Sequence, residues 1–174
     1  VLVLVTSRII WGFVGSRHSR FSDFLAGPVK VTNYLRDGAS DSAGHNPLGG
    51  WSVVVLLMLV LTQAVSGLFN SDDILFNGPF YYAVSDATAG LMGTLHDLAF
   101  DGLMVMVGLH VLAVLFHQFA RREKLVPAMI RGRAEGREGL APAAPLWRFL
   151  VILAITACAL WLGLEQAPQP VPMW

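Results

Sequence analysis

Long apolar runs separated by polar connections dominate this sequence. Three of them, at about 47–69, 91–119 and 146–164, reach the roughly 20 mostly apolar residues that a membrane-spanning helix needs. A shorter run at 1–15 has the same character and begins directly at Val1. We therefore predict an all-α integral membrane protein with one partial and three full spans, whose sequence begins partway through a helix.

The composition agrees with a membrane protein. Apolar residues make up 55% of the chain and charged residues 14%, whereas soluble domains average about 45–50% and about 25%. The formal net charge is zero, so no nucleic-acid partner is expected. The single cysteine, Cys158, allows no intrachain disulfide and indicates no thiolate metal site.

Basic residues alternate between the connections. Loops 17–46 and 120–145 contain Lys and Arg, but loop 70–90 and the tail after Leu164 contain neither. Cytoplasmic loops of membrane proteins are enriched in these residues, so loops 17–46 and 120–145 are predicted to be cytoplasmic. Loop 70–90 and the C-terminus then face the periplasm, and the bilayer is that of a bacterial inner membrane.

The third run contains the candidate chemistry. His96 and His110 are 14 residues apart, which is about 40° short of four helical turns and about 21 Å along the axis. They share one helix face, at a spacing that suits two stacked haems with one histidine ligand each. Alternatively, each is a hydrogen-bonded interior residue. Zinc is disfavoured, since no compact cluster of three or four ligands is visible.

Charged residues in these runs are costly and need an explanation. Asp97 and Asp101 are interpreted either as partners of a ligand histidine or a proton path, or as polar contacts with a neighbouring helix. Arg8 lies near the end of the first run. Its side chain either extends to the membrane surface or pairs with a haem propionate, a group that suits the planar guanidinium.

The remaining polar residues receive simpler assignments. His117 follows His110 by only seven residues, or about 10 Å of helical rise, which is too close for a further haem. It is expected at the inner membrane surface, with a hydrogen-bonding role near a haem edge or no role. Gln63 and Ser66 in the second run are expected to be packing residues.

Four segments within the first 133 residues form a recognisable set. They are RIIWGFVGSR at 8–17, GHNPLGG at 44–50, His96-Asp97 with GLH at 108–110, and LVPAMIRGR at 125–133. Together they resemble the bacterial cytochrome b561 and nickel-iron hydrogenase b-type cytochrome family. The resemblance implies a di-haem cytochrome b membrane domain over 1–133, and we expect 134–174 to be a linker plus an additional C-terminal transmembrane helix.

The resemblance also implies the cofactor and its ligands. The family binds two haems b, and His96 and His110 match the two ligands of its late helix. The opposing ligands lie on its first helix and early in its second, which this sequence lacks, so five spans are expected in the complete protein. His45 cannot replace them, because His110 should lie about 15 Å deeper in the membrane. His45 is instead assigned near a haem propionate or the loop backbone at the inner surface.

The family further implies a function in a respiratory chain. Its members connect hydrogenases, other dehydrogenases or periplasmic cytochromes c to quinone, so this chain would be an electron-transfer subunit and at most an oxidoreductase component. From the residues alone, other functions remain open: a haem-free membrane anchor, a transporter with Asp and His as proton carriers, or a haem-dependent reductase of superoxide or ferric iron. A redox spectrum of variants at His96 and His110 distinguishes the haem-free from the haem-dependent functions.

Overall fold

A computed structural model describes residues 1–16, 19–37, 46–72, 74–122, 126–127, 130 and 144–168. Within these residues the regular structure is helical, and β pairing there is limited to an isolated bridge between Ser71 and Asn77. The main helices are α1 (Leu2–Val14), α2 (Phe21–Phe24), α3 (Pro28–Asp37), α4 (Pro47–Ser66), α5 (Asp86–Leu115) and α6 (Leu146–Glu165). A 3-10 turn, Tyr81–Ala83, precedes α5, and a π-helical turn, Phe116–Ala120, follows it.

Three of these helices are long and apolar enough to cross a membrane. They are α4, α5 together with its π-helical turn, and α6, whereas α1 is apolar but has only 13 residues. Only 6% of the most apolar 18-residue stretch of each long helix is buried within the chain. Long, predominantly apolar helices that are little buried are suited to a lipid environment. The predicted all-α membrane architecture, with three helices long enough to span the bilayer, is confirmed.

Capping residues determine where the two central helices begin. The Asn46 side-chain oxygen accepts a hydrogen bond from the Gly49 amide at 2.6 Å and caps α4. Ser85 caps α5 by accepting from the Thr88 amide at 3.4 Å. The helix therefore begins at Asp86, and our expected start near 91 was wrong. The apolar run underestimates the helix because its first turn is polar and is stabilised by the cap.

Helices α4 and α5 pack side by side in antiparallel directions. At one end of the pair, Ser66 Oγ of α4 lies 3.1 Å from His96 Nδ1 of α5. At the other end, Asn46 Nδ2 lies 3.5 Å from His117 Nε2 in the π-helical turn. These two contacts define a His96 end and a His117 end of the helix pair, and they hold its register along the whole length of α4.

A small residue allows α4 and α5 to approach closely between these ends. A Cβ added to Gly102 would lie 3.1 Å from the Leu59 side chain, and the neighbouring Ala99 is only 3% exposed. Small residues have the same role in many membrane helix pairs, where association depends on close van der Waals packing. Gly102 therefore contributes to helix packing.

The last span packs against the first helix. Ser7 of α1 and Thr156 of α6 form a buried hydrogen bond of 2.7 Å between their hydroxyl groups. Near it, the rings of Trp11 and Phe149 meet edge to face with centroids 5.5 Å apart. Because α1 also contacts α4, this contact connects α6 to the rest of the bundle.

The connection between the first two spans, predicted as a loop, contains α2 and α3. Phe24 of α2 is buried against the start of α4, where a Cβ on Gly50 would lie 2.5 Å from the Phe24 carbonyl oxygen. The adjacent Trp51 indole N–H donates to the Ala26 carbonyl at 3.0 Å. Glycine is thus required at position 50 for this segment to lie flat against the His117 end of the bundle.

Candidate haem-binding histidines

The two predicted ligand histidines lie on one continuous helix. His96 and His110 both belong to α5, which is α-helical from Asp86 to Leu115. Their separation of 14 residues therefore corresponds to about 21 Å along the axis, on the same face. Both side chains are partly buried. His45, the predicted inner-surface residue, lies outside the described residues.

Two side chains of α4 contact both ring nitrogens of His96. Gln63 Nε2 lies 2.7 Å from His96 Nε2, and Ser66 Oγ lies 3.1 Å from His96 Nδ1. Ser66 is almost completely buried, at 2% exposure. Gln63 Oε1 is also buried and has no hydrogen-bond partner within the described part of the chain. The His96 imidazole is thus oriented by the last turn of α4.

Gly67 provides the space for this imidazole. It follows α4 directly and has ordinary right-handed helical dihedral angles, so its backbone does not itself require glycine. A Cβ at this position would lie 3.1 Å from His96 Cε1 and 3.2 Å from the Gln63 carbonyl oxygen. A side chain here would press on the histidine ring, and glycine is favoured for that reason.

Sequence reasoning missed the contacts of Gln63 and Ser66. Both were expected to be packing residues, but both contact His96. Their spacing of three residues places them on one face of α4, which was visible in the sequence. The signal that was missed is the short connection to α5, because it brings the end of α4 beside the start of the next helix.

The surroundings of His110 and of the two aspartates are different. Among the described residues, the His110 side chain has no hydrogen bond to the protein. Asp97 and Asp101 are exposed and have neither a hydrogen bond nor an ion pair in the same part of the chain. Contact with another helix of this chain, one of the two interpretations of these aspartates, is therefore not seen there.

Arg8 points toward the His117 end of the bundle. Its guanidinium donates to the Ser19 carbonyl at 3.4 Å and lies 5.9 Å from the centroid of the Phe21 ring. The second distance is within the range of a cation–π interaction. The charge thus lies beside the polar connection that follows α1. The Arg8 guanidinium is at the same end of the bundle as α3 and the start of α4.

A polar cluster at this end joins three elements. Asn46 Nδ2 donates to the Tyr34 hydroxyl at 3.1 Å, and the Tyr34 hydroxyl lies 3.4 Å from His117 Nε2. Tyr34 of α3 is buried, while His117 lies in the π-helical turn Phe116–Ala120. Tyr34 could not be predicted from the sequence, since its contacts depend on how α3 folds back against α4.

These observations define a membrane helical bundle with two histidines on one face of a spanning helix. The chain belongs to the prokaryotic cytochrome b561 family, whose model matches residues 1–132, so the resemblance found in the sequence is confirmed. A similar protein of Bradyrhizobium diazoefficiens is named "Probable Ni/Fe-hydrogenase B-type cytochrome subunit". It is 25% identical over 157 residues, which cover 78% of this chain and 62% of the relative. The chain thus spans less than two thirds of that relative's length. No solved structure matches this chain significantly.

The donor set on α5 fits haem iron. Neutral imidazole is the usual protein ligand of haem b-type iron, and ligand histidines commonly hydrogen-bond their second ring nitrogen to a protein group. His96 has such a contact at Nδ1 with Ser66, and the group against its Nε2 is an uncharged amide. No group of three or more His, Cys, Asp or Glu side chains suited to a metal ion lies among the described residues.

Proposed function

We propose that this chain forms the haem-binding part of a membrane electron carrier, with His96 and His110 each supplying one axial ligand to one of two haems b. The observation that carries this proposal is the position of both imidazoles on the same face of one continuous membrane-spanning helix, about 21 Å apart. When bound, haem supplies reversible one-electron chemistry. The chain would hold the cofactors at His96 and His110, on a predominantly apolar spanning helix.

The proposed orientation places the His96 end at the periplasmic surface. Loops 17–46 and 120–145 contain ten of the twelve Lys and Arg residues, and such loops remain in the cytoplasm. The His117 end, with Arg8 and the start of α4, then faces the cytoplasm of a bacterial inner membrane. One haem would lie near each surface, so that electrons cross the bilayer within this subunit.

Arg8 and His45 are proposed to lie near the propionates of the cytoplasmic haem. The Arg8 guanidinium is already at that end, and within the described ranges its side chain makes a single hydrogen bond, the long contact with the Ser19 carbonyl. Carboxylates form stronger, charge-assisted bonds with guanidinium than a neutral carbonyl does. His45 precedes Asn46, the cap of α4, and its proposed location follows from that position.

The proposed partners follow from the family and the orientation. The B. diazoefficiens relative is named as a subunit of a Ni/Fe-hydrogenase, and we infer a hydrogenase, another dehydrogenase or a periplasmic cytochrome c as the redox partner at the His96 end. Quinone in the bilayer is the proposed acceptor. This assignment makes the chain an electron-transfer component of a respiratory chain.

The decisive test is a reduced-minus-oxidised spectrum with pyridine haemochrome quantification, on protein purified from membranes after expression of its complete gene. Two haems b per chain are expected, with loss of one in His96→Ala and one in His110→Ala. His117→Ala, on the same segment, should retain both. A folded wild-type protein without haem would contradict the proposal and favour a haem-free anchor subunit.

A further inference from the structure

The Ser66 hydroxyl already donates its single hydrogen to backbone carbonyls of α4. Ser66 Oγ lies 2.6 Å from the Thr62 carbonyl oxygen of its own helix, with the Gln63 carbonyl oxygen a longer second contact at 3.3 Å. Carbonyl oxygens only accept, so the single hydroxyl hydrogen of Ser66 points at them. The contact of 3.1 Å with His96 Nδ1 must therefore have the histidine as donor and the serine as acceptor.

This direction determines the tautomer of His96. A neutral imidazole has one protonated nitrogen and one with a lone pair, so a proton on Nδ1 leaves Nε2 as the acceptor. The 2.7 Å contact with the Gln63 amide nitrogen agrees, because that amide can only donate. The Ser66 contact thus specifies the protonation state, and the Gln63 contact is consistent with it.

We propose that Ser66 is a positioning residue for the haem ligated by His96. By accepting the Nδ1 proton it selects the tautomer whose Nε2 lone pair can bind iron, and it fixes the plane of the ring. This inference rests on the proposed function. The geometry of the contact between Ser66 and His96 is well defined. Ser66 is 2% exposed, and Gly67 leaves little more than the space that the histidine ring needs.

The arrangement distinguishes the two histidines. Ser52 is 14 residues before Ser66 and hence on the same face of α4, and its hydroxyl also donates to its own helix, to the Gly49 carbonyl at 2.8 Å. Among the described residues, however, no hydrogen bond joins Ser52 to His110. The orienting contact therefore acts on the His96 haem, and Ser52 provides a matched control on the same helix.

The expected effect has a defined sign. A hydrogen bond from Nδ1 to an acceptor increases the basicity of the imidazole, and a more basic ligand favours ferric over ferrous iron. Ser66→Ala removes the acceptor. It should therefore shift the potential of one of the two haems to a more positive value and weaken the retention of that haem by about 10- to 100-fold.

The experiment is a spectroelectrochemical titration of both haems in the complete protein, for wild type, Ser66→Ala, Ser66→Thr and Ser52→Ala. Ser66→Ala should shift the potential of only the haem that His96→Ala removes. Ser66→Thr should retain the wild-type potential, because it keeps the hydroxyl. Ser52→Ala should leave the potential of that haem unchanged. Unchanged potentials in Ser66→Ala, in a protein that binds two haems, would overturn the positioning role and leave the electron-carrier proposal intact.

A second measurement remains available if Ser66→Ala does not fold. The 15N chemical shifts of the His96 imidazole, in wild-type protein prepared without haem, report which nitrogen carries the proton. A protonated Nδ1 is expected. A protonated Nε2 would overturn the inference independently of any haem binding, whereas failure of the wild-type protein to bind haem would contradict the proposed function itself.

Discussion

The side-chain amide nitrogen of Gln63 lies 2.7 Å from Nε2 of His96. That nitrogen of the imidazole has a single lone pair, so under the proposed function the amide would compete with haem iron for it. The other atom of the same amide, Oε1, is buried without a partner among the described residues. In that part of the chain the Gln63 side chain makes this one hydrogen bond, and binding of iron to His96 would require its release.

Gln63→Leu is therefore expected to strengthen haem binding at the His96 site. The substitution removes a donor that competes for Nε2 and leaves Ser66 in place. A neutral hydrogen bond has a net value of about 0.5–1.5 kcal/mol, which corresponds to a haem affinity about 2- to 13-fold higher, measured by equilibrium haem titration of the haem-free protein. Gln118→Leu, on the π-helical turn, is the matched control and should have no effect. Weaker haem binding in Gln63→Leu would instead make the amide a supporting group.

Gly67→Ala tests the space around the ring. The added Cβ would lie 3.1 Å from His96 Cε1, so the histidine must move by a few tenths of an ångström. Overpacking typically costs about 1–3 kcal/mol, and we expect lower haem occupancy at one of the two sites, measured by haemochrome quantification. Gly90→Ala has no atom within 4 Å of the new Cβ and should retain both haems. Equal occupancy in the two variants would contradict this role of Gly67.

The membrane spans and the histidine pair could be predicted from the sequence because both depend on short-range patterns. The length of an apolar run determines whether a helix crosses the bilayer, and the 14-residue spacing of His96 and His110 determines their common face as soon as the segment is helical. Helix α5 is continuous over both residues, so their common face does not depend on the other helices.

The contacts of His96 could not be predicted in the same way. They depend on the register between α4 and α5, which is determined by the structure of the connection between them and by close packing at Gly102 and Leu59. The periodicity of a single helix contains no information about that register. For the same reason Ser66 was assigned to packing, and Tyr34 in the connection before α4 was not identified.

Asn46 has two separable functions at the His117 end. Its Oδ1 caps α4 through the Gly49 amide, while its Nδ2 donates to the Tyr34 hydroxyl. Asn46→Ala removes both and should lower stability by about 0.5–2 kcal/mol, the usual value of an N-cap. Asn46→Asp keeps an acceptor for the cap but has no N–H donor, so its stability should lie between those of wild type and Asn46→Ala. Thermal unfolding in detergent measures both, and equal losses would show that the cap contributes nothing.

The loop at the His96 end should respond to acid through Asp72. Its carboxylate accepts hydrogen bonds from the amides of Phe76, Leu75 and Ile74 at 2.7, 2.8 and 3.0 Å. These bonds hold the pKa of Asp72 below its ordinary value of 3.8, because they stabilise the charged form. For a carboxyl group with a lowered pKa, the contribution to loop order is complete above the ordinary value and is lost as the pH falls through the lowered one.

The ordered loop exposes the apolar side chains of Ile74, Leu75 and Phe76. We expect the amide chemical shifts of these residues, measured by NMR on the protein in nanodiscs, to be constant near neutral pH and to titrate together below pH 3.8. Asp72→Asn has no titrating group at this position, so its three amides should not show this transition. A transition that persists in Asp72→Asn would assign the acid response to another carboxyl group of the loop.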